Sequence, residues 1–187
     1  SIVSLAYRKL RDLGIKDNSR ILVIGAGETN ARMCKFLSKH GLKNLTIFNR
    51  TFEKAKALTN NIGGNALPLT ELSNFKEGFD LIVTCTGSEE HLITPDIYEA
   101  LSAGESTKKT IIDLAIPYDV NPSVIENNAV NYIEIEGLKE ISEINLKKRE
   151  KELSLCKQLI EKQVIAFKHA FKERKVELAM SEVPQKI

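Results

Sequence analysis

The sequence has no tryptophan, only two methionines and only three cysteines, none of them in a C-x-x-C pair. With Cys34, Cys85 and Cys156 scattered and three histidines in all, neither a structural zinc site nor a disulfide framework is indicated. Long apolar runs are missing as well. The longest resemble Ile21–Ile24, whereas a transmembrane helix needs roughly 20 residues. The opening SIVSLAYRKL lacks the basic-then-apolar-then-small order of a secretory signal, so export is not indicated. A net charge of +2 is too small to argue for nucleic-acid binding by electrostatics alone. These absences describe a reduced, cytoplasmic, soluble protein with no membrane partner. What is present fits that description: 42% hydrophobic and 28% charged residues is a globular balance. The 187 residues suffice for one ordinary domain and an appendage.

Three blocks follow one another. Residues 1–19 read as a lead-in: Ile2, Leu5, Ala6, Leu10 and Leu13 recur at helical spacing, and Gly14 offers a stop. Over residues 20–137, short apolar runs at Ile21, Leu45, Leu81, Ile111 and Tyr132 alternate with helical stretches starting at Glu28, Phe52, Pro95 and Pro122. A weaker run at Asn65–Leu69, with Pro68 marking an edge, supplies a further strand. Continuous apolar strands separated by helices predict an α/β fold, a doubly wound parallel sheet covered on both faces. From Leu138 to Val183 there is neither glycine nor proline. Leu153, Cys156, Ile160, Val164, Phe167 and Phe171 step by three and four, so one long helix with one apolar face is expected over much of 138–187.

The segment RILVIGAGETNARMCKFL sets an apolar strand directly before Gly25-Ala26-Gly27-Glu28-Thr29-Asn30, which opens a helix. The first glycine permits a tight turn and the second lets backbone approach a pyrophosphate, while the new helix presents N–H groups and its positive end to that anion. Asn30 stands where the fingerprint has its third glycine, so slightly wider helix–strand spacing is expected. The plainer alternative is that the glycines merely make a turn. The end of the second strand, Phe48-Asn49-Arg50-Thr51, carries no acid to accept from a ribose 2′-hydroxyl. Asn49 can donate, Arg50 offers a planar fork for a 2′-phosphate, Thr51 can cap the next helix, and Lys54 lies one turn on. The expected cofactor is therefore NADPH rather than NADH, the bland alternative being an exposed loop arginine. Thr86-Gly87-Ser88 and Ala115-Ile116-Pro117 end the next two strands and are expected to line the ribose and nicotinamide. Cys85 reads as a packing residue beside the nicotinamide, since no histidine lies in a local motif with it. No catalytic residue and no metal ligand is assigned.

VIGAGETN, KHGLKNLTIFNRT, LIVTCTGS, IIDLAIPYDVNP and NLKKREKEL, in that order, make the chain resemble glutamyl-tRNA reductase. The resemblance implies an NADPH-binding domain with part of a long spinal helix, set in the whole enzyme between an upstream catalytic domain and a C-terminal dimerisation domain of a homodimer. It implies an NADPH-dependent oxidoreductase of porphyrin (tetrapyrrole) biosynthesis. There a cysteine of the catalytic domain attacks glutamyl-tRNA, and hydride reduces the resulting thioester to glutamate-1-semialdehyde. The same resemblance assigns residues 25–30 to the pyrophosphate, Asn49, Arg50, Thr51 and Lys54 to the 2′-phosphate, and 86–88 with 115–117 to the ribose and nicotinamide. The nucleophile is then expected outside this chain, which alone would bind NADPH without turnover.

Two other readings stay open. Shikimate dehydrogenase-like oxidoreductases share the G-A-G loop and the Asn-Arg-Thr strand end but would lack the long helix after Leu138. A non-catalytic NADP-binding interaction module would use that helix to recruit a partner. Lys147, Lys148, Arg149 and Lys151 could touch tRNA phosphates, but interleaved Glu150 and Glu152 favour a solvated helix face.

Overall fold

A computed structural model describes residues 2–181. Ser1 and residues 182–187, which the sequence assigns to the lead-in and to the start of a dimerisation region, lie outside the described residues. Six strands form one parallel sheet: β1 (Ile21–Ile24), β2 (Leu45–Asn49), β3 (Asn65–Pro68), β4 (Leu81–Thr84), β5 (Lys109–Asp113) and β6 (Val130–Glu134). Their order is β3-β2-β1-β4-β5-β6, the doubly wound arrangement expected, with Pro68 in an edge strand. The crossovers carry α2 (Glu28–Lys39), α3 (Phe52–Ile62), α4 (Pro95–Ser102) and α5 (Pro122–Asn127). The order reverses between β1 and β4, which leaves a crevice at their carboxyl ends.

The central strands are apolar throughout because both faces of the sheet are covered. Successive side chains point to opposite sides. Ile21 and Val23 pack with Met33, Cys34 and Leu37 of α2 on one face, while Leu22 and Ile24 join Phe48, Phe79 and Leu101 on the other. Burying each of these is worth roughly 1.5–3 kcal/mol. The first face also receives α1 (Ile2–Asp12), whose Val3, Ala6 and Leu10 are buried in that core. Leu13, expected on the same stripe, is instead exposed, because α1 ends at Asp12 and Gly14 turns the chain at φ +81°.

By compactness the chain divides into residues 1–142 and 143–187. The last helix, α6, spans Ile135–Ser181 as 47 residues, on the order of 70 Å at about 1.5 Å per residue. Leu138, near its start, is buried. Every described residue from Glu143 onward is exposed, including all six of the expected apolar stripe. None of the described helices is long and apolar enough to cross a membrane.

The amino edge of the sheet carries buried charge that no local pattern in the sequence marks. Strand β5 begins at Lys109, two residues earlier than the apolar pattern suggests, and this lysine is almost wholly buried. Its ammonium donates to Glu105 at 2.5 Å and Thr107 at 2.9 Å and lies 5.2 Å from the centre of the Phe79 ring. Arg20 donates to Asp80 and Glu105 and to the carbonyl of Glu77, so β1, β4 and the α4–β5 loop meet on one guanidinium.

Candidate functional site

At the opposite, carboxyl edge, β1 ends in Gly25 at φ +98°, whose N–H donates to the carbonyl of Phe48 on β2 at 2.8 Å. A β-carbon there would lie 2.6 Å from the carbonyl oxygen of Cys85, so only glycine fits. Gly27 differs: it is the extended N-cap of α2, and a β-carbon on it would meet nothing within 4 Å. The space over Gly27 is therefore open to a ligand, and the first-turn N–H groups of α2 have no partner within their own helix.

Asn30 does something more specific than loosen the helix–strand packing. It is completely buried, and its amide nitrogen donates to the carbonyls of Ile24 and Gly25 at 2.8 and 2.9 Å. It thereby pins the turn to the helix, while its own side-chain oxygen has no hydrogen-bond partner among the described residues.

Asn49 also has a structural duty. Its oxygen accepts from the N–H of Ala26 at 3.0 Å and its amide nitrogen donates to the carbonyl of Thr51 at 2.8 Å. Asn49 thus ties the end of β2 to the glycine turn, a duty the sequence did not show, while one hydrogen of its amide nitrogen is left over for a ligand. Thr51 is the N-cap of α3 yet makes no side-chain cap bond, contrary to the expected capping. Arg50 and Lys54 are exposed, and no ion pair among the described residues involves either. Two cations without carboxylate partners thus stand beside the turn.

A cleft of about 530 Å³ brings Gly25, Ala26 and Gly27 together with Asn49, Arg50, Thr51, Lys54, Thr86, Gly87 and Ser88. Glu28, Thr29 and Asn30 are not part of its lining. Glu28 is exposed and pairs with Arg32, and Asn30 is spent as above. Ala115, Ile116 and Pro117 are likewise outside it, where the sequence placed them against the nicotinamide. That loop is organised by Asp113, whose buried carboxylate accepts from the N–H groups of Ala115 and Val120 at 3.0 Å each. Ala115 is buried by that turn, while Ile116 is 64% exposed. Burial, with the charge of Asp119 acting in the same sense, pushes the Asp113 carboxyl up to about 6.

Leu69 and Leu92 also line the cleft and were not singled out from the sequence. Leu69 begins a 3-10 turn directly after Pro68, the one local signal that could have marked it. Cys85 lies in the cleft half-buried, with its thiol donating to the carbonyl of Leu114 at 3.4 Å and pushed up by burial. The Cys34 thiol is pushed up by burial to about 12. His91 makes its contact with the carbonyl of Tyr118 rather than with a thiol. None of these groups is arranged as an activated nucleophile. Among the described residues no cluster of His, Cys, Asp or Glu could hold a metal ion.

Comparison with known proteins agrees with this fold. Residues 4–141 match the family model described as Shikimate / quinate 5-dehydrogenase. A glutamyl-tRNA reductase of Methanosarcina mazei is 29% identical over the full length of this chain, which covers 42% of that protein. The solved glutamyl-tRNA reductase of Methanopyrus kandleri superposes with a TM-score of 0.74 at 31% identity over 94% of this chain and 45% of its own. The nucleotide-binding domain of the Thermoplasma volcanium enzyme shares the fold, with a TM-score of 0.59 at 22% identity over 80% of this chain and 96% of its own. The chain thus spans less than half the length of the full-length relatives it matches. The family model stops where α6 leaves the first unit, whereas the Methanosarcina relative matches through the long helix as well. The chain therefore belongs to the Shikimate / quinate 5-dehydrogenase family and, within it, resembles the glutamyl-tRNA reductases.

Proposed function

We propose that the chain is the NADPH-binding domain of a glutamyl-tRNA reductase, with residues 20–137 holding the cofactor, 1–19 leading in and 138–187 beginning the dimerisation region. The observation that carries the cofactor choice is the pair of unpartnered cations, Arg50 and Lys54, at a strand end where an NAD site would need an acid. The cleft suits the group: Gly27 leaves room for the pyrophosphate, the start of α2 presents N–H groups, and about 530 Å³ lies within the usual range for a cofactor site. A cofactor held by these residues would supply the hydride that takes a glutamyl thioester to glutamate-1-semialdehyde and frees the thiolate. This chain's residues bind and orient. Arg50 and Lys54 neutralise the 2′-phosphate, the Gly25–Gly27 turn positions the pyrophosphate, and Thr86–Ser88 flank the ribose. The nucleophilic cysteine and the glutamyl-tRNA contacts belong to the upstream catalytic domain, in a cytoplasmic enzyme, so the chain alone does not turn over.

Calorimetry tests this reading. Charge-assisted bonds to a 2′-phosphate are worth on the order of 1.5–3 kcal/mol each before solvent screening. NADPH is therefore expected to bind at least about tenfold more tightly than NADH, and Arg50→Ala to remove most of that difference. Equal affinities of the wild-type chain for the two would overturn the assignment.

The long helix supports a homodimer. Leu153, Ile160, Val164, Phe167 and Phe171 are all exposed, and the two phenylalanine rings stack with centroids 5.9 Å apart. An apolar face of this extent marks an interface. Phe167→Asp combined with Phe171→Asp is expected to convert a dimer to monomer in sedimentation without changing NADPH affinity. A wild type that stays monomeric at high concentration would remove the pairing.

A further inference from the structure

Asp119 is wholly buried, yet its carboxylate has no role in the cofactor reading above. Both of its oxygens are directed at the end of β4. One accepts from the Thr84 hydroxyl at 2.5 Å and from the Thr86 N–H at 2.9 Å, and the other accepts from the Thr86 hydroxyl at 2.5 Å. Its backbone carbonyl accepts from the N–H groups of Leu92 and Ile93 at 2.8 and 3.0 Å. A single residue of the β5–α5 loop thus gathers the end of β4 and the segment leading into α4. No ion pair among the described residues involves it. Burying a carboxylate among neutral donors is costly, and joining strands does not by itself require one.

What a carboxylate adds is direction, because it can only accept. The Thr86 hydroxyl must give its proton to Asp119, which leaves its oxygen to accept from the N–H of Ser88, 3.2 Å away. The bonds therefore run one way, from the Ser88 N–H through the Thr86 hydroxyl to Asp119. The methyl of Thr86 stands against the phosphate turn, 3.1 Å from where a β-carbon of Gly25 would be. Thr86, Gly87 and Ser88 line the cleft and Asp119 does not.

We propose that Asp119 is a positioning residue for the nicotinamide half of the cofactor, acting by fixing the Thr86-Gly87-Ser88 rim. The proposal rests on reading the cleft as an NADPH site with that rim at the nicotinamide ribose. It separates two halves of one ligand, which a merely structural role would not.

The test measures calorimetric affinities for NADPH and for adenosine 2′,5′-bisphosphate, which carries the adenine and 2′-phosphate but no nicotinamide, with melting temperatures alongside. Asp119→Ala is expected to weaken NADPH at least about tenfold while the bisphosphate stays within about twofold. Asp119→Asn keeps an acceptor for the Thr86 N–H but donates to the Thr86 oxygen and so reverses that bond, and NADPH affinity should recover only in part, to about three- to fivefold below wild type. Thr84→Val removes one strut from a buried position outside the cleft. It should weaken NADPH about two- to threefold with the bisphosphate unchanged, and it serves if Asp119→Ala does not fold. Unchanged NADPH affinity in Asp119→Ala, or in Thr84→Val if that alone folds, overturns the proposal. So does an equal loss of both ligands that asparagine fails to rescue. A wild-type chain that binds neither ligand overturns the cofactor reading itself, and the positioning role with it.

Discussion

Gly25→Val is expected to abolish NADPH binding and to lower the melting temperature by roughly 6–12 °C. The backbone at φ +98° is strained for any residue with a β-carbon, at about 1–3 kcal/mol. That β-carbon would also stand 2.6 Å from the Cys85 carbonyl and 3.1 Å from the Thr86 methyl. The first obstacle is backbone of the adjacent strand end and cannot swing aside. A total near 3 kcal/mol corresponds to the stated shift, at roughly 2–4 °C per kcal/mol for a chain of this size. Binding goes with it, because relief of the clash separates the phosphate turn from the rim opposite. Gly27→Ala is the informative contrast. Its φ is −73° and its methyl would meet nothing of the protein, so stability should hold to within about 0.5 kcal/mol. On the proposed reading of the cleft the methyl would still intrude on the pyrophosphate, and NADPH binding should weaken. Thermal denaturation and calorimetry on the two variants separate fold from site. A Gly25→Val protein with wild-type melting temperature and affinity would show that the turn is misassigned.

Arg20→Met should destabilise the chain by about 2–3 kcal/mol, somewhat less than the roughly 3–5 kcal/mol for breaking a fully buried pair, because these side chains keep about a third of their exposure. Two carboxylates converge on this guanidinium. The Arg20 hydrogen bond, then that of Lys109, holds the Glu105 carboxyl down at about 2. Burial pushes the Asp80 carboxyl up, but the Arg20 hydrogen bonds and charge outweigh it and leave it below its ordinary value. A carboxyl lowered in the folded state contributes stability that is complete above its unfolded value and is lost as pH falls toward the folded one. The wild type should therefore lose stability between about pH 4.5 and 2, the span from the ordinary glutamate value to that of Glu105. Arg20→Met should show a flatter profile over the same span. Gly78 completes the cluster, since a β-carbon there would collide with Glu105 and Arg20. Equal melting temperatures and parallel acid profiles for variant and wild type would show that the network is ornamental.

Most of the sheet could be read from local pattern. Strand β1 and helices α2 and α5 fall where the apolar run, the opening at Glu28 and the proline at Pro122 put them. Those signals are carried by neighbours in the chain, as are the glycine turn and the cations at Arg50 and Lys54. The buried charges were less accessible. Lys109 and Asp119 look like loop charges in sequence, and nothing adjacent to them announces burial. Glu105 lies only four residues from Lys109, but Phe79 for the first and Thr84 and Thr86 for the second become neighbours only through the order of the strands.

The division has a physical cause. Period and turn chemistry act over a few residues, so the doubly wound fold, the glycine turn and the two exposed cations beside it are written along the chain. Hydrogen-bond satisfaction and desolvation act across space. They decide that Asn49 ties β2 to the glycine turn, that Asn30 pins the turn to its helix, and that Asp113 organises the loop through Ala115, Ile116 and Pro117. They also make Asp119, 33 residues along the chain from Thr86, the group that sets its hydroxyl.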